Sequence, residues 1–150
     1  MLNNHWKDRR KRRGSVGVEL ALTAPLLLLM LIGAADFARV FYHAVTLANA
    51  AGTGAFYGAQ NNIYSGEFAQ MQQAAQTDAK DLGTITAVAG RYCDCPSGTK
   101  VDCVTGTCAG YGPPRVYVST KTKESFTPLV GWTGIPNPVT AGRTAYVRVQ

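Results

Sequence analysis

The distribution of apolar and polar positions divides the chain into three stretches of different period. From Val16 to Ala35, twenty residues carry a single charge, Glu19, around the core Ala24-Pro25-Leu26-Leu27-Leu28-Leu29-Met30-Leu31-Ile32. At ~1.5 Å rise per residue such a run spans the roughly 30 Å hydrocarbon layer of a bilayer. Beyond Asp36 the period becomes helical and amphipathic. Phe37, Val40, Phe41, Ala44, Leu47 and Ala48 recur at spacings of three and four, while Asp36, Arg39 and His43 share another side. One helix is predicted from near Val16 to about Ala59. Two rows of small residues mark its later part, Ala44, Ala48 and Gly52 on one and Ala51, Ala55 and Ala59 on the next. Such rows let another backbone approach closely, whether that of a neighbouring subunit or of the protein's own sheet, and the two can use different faces.

Asn61 to Gly66 breaks the helix, and Phe68, Met71, Ala75, Ala79 and Leu82 predict a second, short helix over 66–82, with Ser65 as its cap and Gly83 as its terminator. After Gly83 the period shortens. Ile85 to Tyr92 and Arg115 to Lys121 are rich in β-branched and aromatic residues, and Ala145, Val147 and Val149 alternate with Tyr146 and Arg148. Three or four antiparallel strands follow from this, separated by a Cys-rich loop over 93–114 and a Gly/Pro loop over 131–138. The fold class is α+β, a long N-terminal helix packed on a small antiparallel sheet. The domain plan is a leader (1–14), a membrane helix (15–36) and an outer domain (37–150) whose last strands lie within 115–150.

Charge sharpens that plan. Of the formal net charge of +6, residues 1–14 hold +5 and everything after Gly14 only +1. A linear count therefore offers no basic patch on the folded part and predicts no nucleic-acid partner. A Lys/Arg run directly before an apolar segment resists translocation instead, which places the N-terminus in the cytoplasm and the bulk of the chain outside. A secretory signal peptide shares this start. The apolar run here exceeds the usual h-region of about 7–15 residues and leads into more helix rather than a cleavage site, so the segment reads as retained.

The four cysteines, Cys93, Cys95, Cys103 and Cys108, fall in the outer part, where disulfides persist. Four thiolates would also suit a tetrahedral zinc site, but paired Cys-x-x-Cys knuckles are missing. Two disulfides are expected, joining one of the first pair to each of the second, with the connectivity open. No metal or other cofactor is predicted. With His5 in the leader and His43 on the long helix near the membrane, no Ser/His or Cys/His nucleophilic pair is expected in the outer domain. Asp78, Asp81, Asp94, Asp102 and Glu124 read as solvated charge, and Tyr111, Tyr117, Phe126 and Trp132 as sheet packing. Neither an enzyme nor a small-molecule substrate is predicted.

The junction Arg12-Arg13-Gly14-Ser15-Val16-Gly17-Val18-Glu19 carries the chemistry. A carboxylate inside an apolar membrane segment is costly unless it is paired or lies near the headgroups. Cleavage behind Gly14 would create a partner for it, the new α-amino group of Ser15. Pro25 permits a kink in either case.

This junction resembles the prepilin signature, in which a membrane aspartyl peptidase cuts after glycine and leaves glutamate as the fifth residue of the mature chain. The stretch Gly17 to Leu29, followed by Asp36-Phe37-Ala38-Arg39-Val40-Phe41-Tyr42 and Asn49-Ala50-Ala51-Gly52, resembles the TadE family of pseudopilins. Ser125 to Val130, a Gly/Pro loop and a final strand are similar to the way such proteins end, whereas the Cys-rich loop has no such counterpart. The resemblance implies a minor pilus component with processing residues Gly14 and Ser15 and an assembly residue Glu19. Its implied partners are the membrane, the prepilin peptidase, other pilins and the inner-membrane platform that assembles Flp-type (tight-adherence) pili. It implies a bacterial inner-membrane location, single-pass, with incorporation into an extracellular pilus as a further stage. The alternatives are an uncleaved single-pass protein with a disulfide-bonded binding domain and, more weakly, a secreted enzyme.

Overall fold

The computed structural model describes residues 5–131 and 133–150, with side chains from Val16 onward; Trp132 and the first four residues lie outside the described set. The chain falls into two compact units, Met1–Arg39 and Val40–Gln150. Helix α1 (His5–Ala59) contributes to both.

In the first unit α1 is apolar on every side. From Leu26 to Leu31 each side chain is 54–65% exposed. A helix that is apolar all round and covered by no protein belongs in lipid, and this one is long and apolar enough to cross a membrane. The Thr23 hydroxyl is satisfied within the helix, Oγ1 donating to the Glu19 carbonyl at 3.0 Å. Pro25 sits inside the helix without breaking it.

The second unit is built on a four-stranded antiparallel sheet, β1 (Thr86–Asp94), β2 (Lys100–Val101), β3 (Arg115–Phe126) and β4 (Val139–Arg148), in the order β2-β1-β3-β4. Strand β3 is central, with Val118 opposite Arg91 on one side and Val147 on the other. Period-two alternation sends Val118, Thr120, Thr122 and Phe126 inward, where all four are buried. They meet α1 and helix α2 (Phe68–Asp78). One core cluster joins Leu47, Ala50, Ala79 and Ile85; the other joins Ala59, Met71, Val118 and Val149. The chain end is tied back by Gln150 N–H, which donates to the Ala59 carbonyl at 3.3 Å.

Ser65 does not cap α2, contrary to expectation. Its buried hydroxyl donates to the Asn62 carbonyl at 2.7 Å and accepts from Arg91 at 3.2 Å, because a 3₁₀ turn (Tyr64–Gly66) intervenes and makes Glu67 the N-cap position. The Glu67 carboxylate is itself engaged by the Tyr57 hydroxyl at 2.8 Å, which holds that phenol above its usual 10.0. Gly83 does act as a terminator: its φ of 89° closes the 3₁₀ turn Lys80–Leu82 that follows α2.

The Cys-rich loop is stapled by Cys93–Cys103 and Cys95–Cys108, with Cα separations of 5.2 and 5.5 Å. Each bond joins one of the first pair to one of the second, and all four thiols are consumed, so the zinc alternative falls. Within the loop Asp102 accepts from the backbone N–H groups of Thr105 and Val104, both at 2.8 Å, and these donors hold its carboxyl below 3.8.

Candidate assembly and processing site

The three residues expected to carry processing and assembly lie on α1. Gly14 and Ser15 are part of its backbone, and their side-chain surroundings lie outside the described residues. Glu19 is exposed, one turn before Thr23. Its carboxylate has no hydrogen-bond or ion-pair partner among the described residues. That is the state in which a carboxylate entering an apolar layer is most in need of a cation.

The surface α1 offers for contact is set by which face its second half buries. The expected assignment, with Phe37, Val40, Phe41, Ala44, Leu47 and Ala48 on one side and Asp36, Arg39 and His43 on another, holds for Leu47 but fails for the phenylalanines and His43. Phe41 is 65% exposed and Ala48 also faces outward, whereas Leu47, Ala50, Ala51 and Ala55 have no accessible surface. His43, with a side chain only 13% exposed, points to the sheet, where Nδ1 lies 2.7 Å from Glu124 Oε2 and the ring stacks on Phe126 at 4.5 Å. The physical reason is distance. A Cβ at Gly54 would come within 2.6 Å of the Met71 carbonyl oxygen and 2.9 Å of Thr120 Cγ2, and one at Gly58 within 2.6 Å of Met71 Sδ. Only the glycine and alanine side lets the helix approach that closely, and no phenylalanine fits there. The approach is secured by the Thr122 hydroxyl, which donates to the Leu47 carbonyl at 2.9 Å.

The two small-residue rows thus part company. Ala51, Ala55 and Ala59 are buried, Ala59 in the cluster that holds Met71 and Val118. Ala44, Ala48 and Gly52 are partly or fully exposed and lie beside Phe41, Val45 and Phe56, which are 65%, 42% and 65% exposed. The result is an apolar stripe with a flat, small-residue middle and aromatic ends, the shape that admits a second helix.

Glu124 was missed as a structural partner by sequence reasoning. The signal was present in its alternation with Thr120, Thr122 and Phe126, which places it on the inner face. Tyr42 and Asp81 are a further missed pair. Their hydrogen bond joins α1 to the turn after α2; it raises the Tyr42 phenol above 10.0 and lowers the Asp81 carboxyl below 3.8.

Comparison with known proteins bears on the same segment. Residues 14–55 match the family model described as TadE-like protein. The comparisons with curated proteins and with solved structures found no match. The matched stretch begins at Gly14 and takes in Glu19, the apolar run and most of the helix that packs on the sheet, and over those residues the chain is similar to that family.

Proposed function

We propose that this protein is a minor pilin-like component of Flp-type pili, cut after Gly14 by a prepilin peptidase and acting by contact during pilus assembly. The observation that carries the reading is that the TadE-like match starts at the glycine of the junction and runs into an apolar helix whose Glu19 carboxylate has no partner among the described residues. Cleavage there gives Ser15 an α-amino group five positions from that carboxylate, counting inclusively, and the pair neutralises in lipid what neither partner does alone. The outward stripe from Phe41 to Phe56 then receives a neighbouring subunit's helix, because small residues in its middle permit close packing and the phenylalanines bury most area. No turnover is required of such a protein; its output is an ordered contact.

The test is the intact mass and N-terminal residue of membrane-extracted protein, from hosts with and without an active prepilin peptidase. A Ser15 start that depends on the peptidase is the expected result. A retained Met1 would establish the uncleaved single-pass alternative, and a cut beyond Ala35 the secreted one. Substituting Gly14 should block the cut, whereas Glu19→Ala should leave cleavage intact and reduce pilus yield. Normal yield from Glu19→Ala would remove the assembly role of that carboxylate.

A further inference from the structure

The sheet has a second face, and the pleat has collected an unexpected set of residues on it. Residues alternate in direction along each strand, so those between the inward Val118, Thr120 and Thr122 of β3 point away from α1. The antiparallel register then aligns rows across three strands: Tyr92, Tyr117 and Arg148; Gly90, Ser119 and Tyr146; Val88, Lys121 and Thr144. Tyr92 and Tyr117 stack at 5.2 Å with planes 8° apart, and Tyr146 meets Tyr92 edge-on at 6.2 Å. Tyr146 is 64% exposed and Val88 56%. Gly90 leaves the floor beside them flat, since even a Cβ there would meet nothing closer than Ser119 Oγ at 3.5 Å.

Charge on this face is one-sided. Lys100, Arg115, Lys121, Lys123 and Arg148 stand against a single carboxylate, Asp94, which Arg115 already holds through two hydrogen bonds of 3.0 and 3.2 Å. Lys121, Lys123 and Arg148 have no ion-pair partner among the described residues. A count along the chain gave the outer domain almost no net charge and hence no basic patch; the fold corrects this by sorting cations to one face.

We propose that this face binds an acidic polysaccharide, a chain of pyranose rings bearing carboxylates. The exposed ring of Tyr146 offers an apolar plane to the C–H face of a sugar, the tyrosine hydroxyls and Ser119 offer hydrogen bonds to its hydroxyls, and Lys121, Lys123 and Arg148 pair with the carboxylates. Single-stranded nucleic acid has the same charge but fits less well. A run of bases needs successive rings with free faces, and Tyr92 and Tyr117 occupy each other's. The inference goes beyond the assembly reading and does not depend on it, because the face belongs to the folded domain whether or not the chain is cut.

The experiment is calorimetric titration of the full chain in detergent with tetragalacturonate, with maltotetraose and a short oligothymidylate as comparators. Tetragalacturonate should bind, more weakly as salt rises, and maltotetraose and oligothymidylate should bind less. Tyr146→Ala should weaken binding about tenfold, the loss expected for one stacked ring, while Tyr146→Phe should retain it. Lys121→Glu combined with Lys123→Glu should abolish it. All these side chains are exposed, so unchanged thermal unfolding will show that the variants fold. No binding of tetragalacturonate at millimolar concentration, equal binding of maltotetraose, tighter binding of the oligothymidylate, or indifference to both the Tyr146→Ala and the lysine substitutions would each overturn the proposal.

Discussion

The two halves of helix α1 solve opposite problems. Between Leu20 and Ile32 its large side chains are exposed, with Leu22 at 75% and Leu26 at 63%. Between Val40 and Ala59 the buried side chains are mostly those of alanine, around a single fully buried leucine, Leu47. In the first stretch stability comes from the surroundings, since apolar bulk is favourable wherever the solvent is hydrocarbon and no particular neighbour is needed. In the second it comes from fit, because alanine and glycine bury little area themselves but allow the helix to close on Met71, Thr120 and Thr122. Bulk without a partner marks the membrane, and smallness with a partner marks the core.

The contrast breaks most readily at leucine. Leu47→Ala should destabilise the outer domain by about 3 kcal/mol, the transfer and cavity terms together, in chemical or thermal unfolding followed by circular dichroism. Leu26→Ala should leave the same transition where it was; an equal effect at both would mean that the first stretch is packed by protein after all. Glycine gives the next largest effect. Gly54→Ala should cost about 2 kcal/mol through overpacking against the Met71 carbonyl and Thr120. Gly17→Ala, whose added Cβ meets nothing within 4 Å, should not destabilise the fold. A smaller change of opposite sign is expected inside the packed region. The buried Thr120 hydroxyl has no hydrogen-bond partner among the described residues, so Thr120→Val should stabilise by about 1 kcal/mol in the same assay.

The smallest expected effect depends on pH. Asp81 is held below 3.8 by the Tyr42 hydroxyl, so its contribution is present above that value and is lost as pH falls through its lower folded-state value. The Tyr42 phenol is raised above 10.0, so its contribution is complete below 10.0 and is lost as pH rises through the higher folded-state value. Tyr42→Phe should flatten both flanks of the thermal-stability profile by slightly lowering the plateau between them, where the contribution of the pair is complete. Persistence of both slopes in that variant would place their origin in other groups. Since the pair is exposed, salt screening keeps its influence modest.

Much of this architecture was legible in the chain. The unbroken apolar run reads as a membrane-scale helix and the period-two segments separated by Gly/Pro breaks as strands, because each pattern follows from backbone geometry. The proposal for the junction Gly14-Ser15 with Glu19 rests on local spacing and likewise needed no fold. The pairing of the cysteines was confined by the short reach from Cys93 to Cys95, and the register of β1 with β3 then placed both bonds in the stapled loop.

Other features escaped because they are relations between distant segments. Apolar periodicity favours Phe37 and Phe41 as core, since it ranks side chains by size and cannot know how near the opposing sheet will come. Once Gly54 and Gly58 fix that distance, the phenylalanines lie outside and His43 inside, where Glu124 from a strand far along the chain receives it. The same holds for charge. Sequence alone marked the apolar run long enough to cross a membrane and the places where the chain turns, because those depend on composition and short-range spacing. Only the tertiary structure decided which helix face remains free and which sheet face carries the cations and tyrosines, because pleat, register and interlayer distance are properties of several segments together.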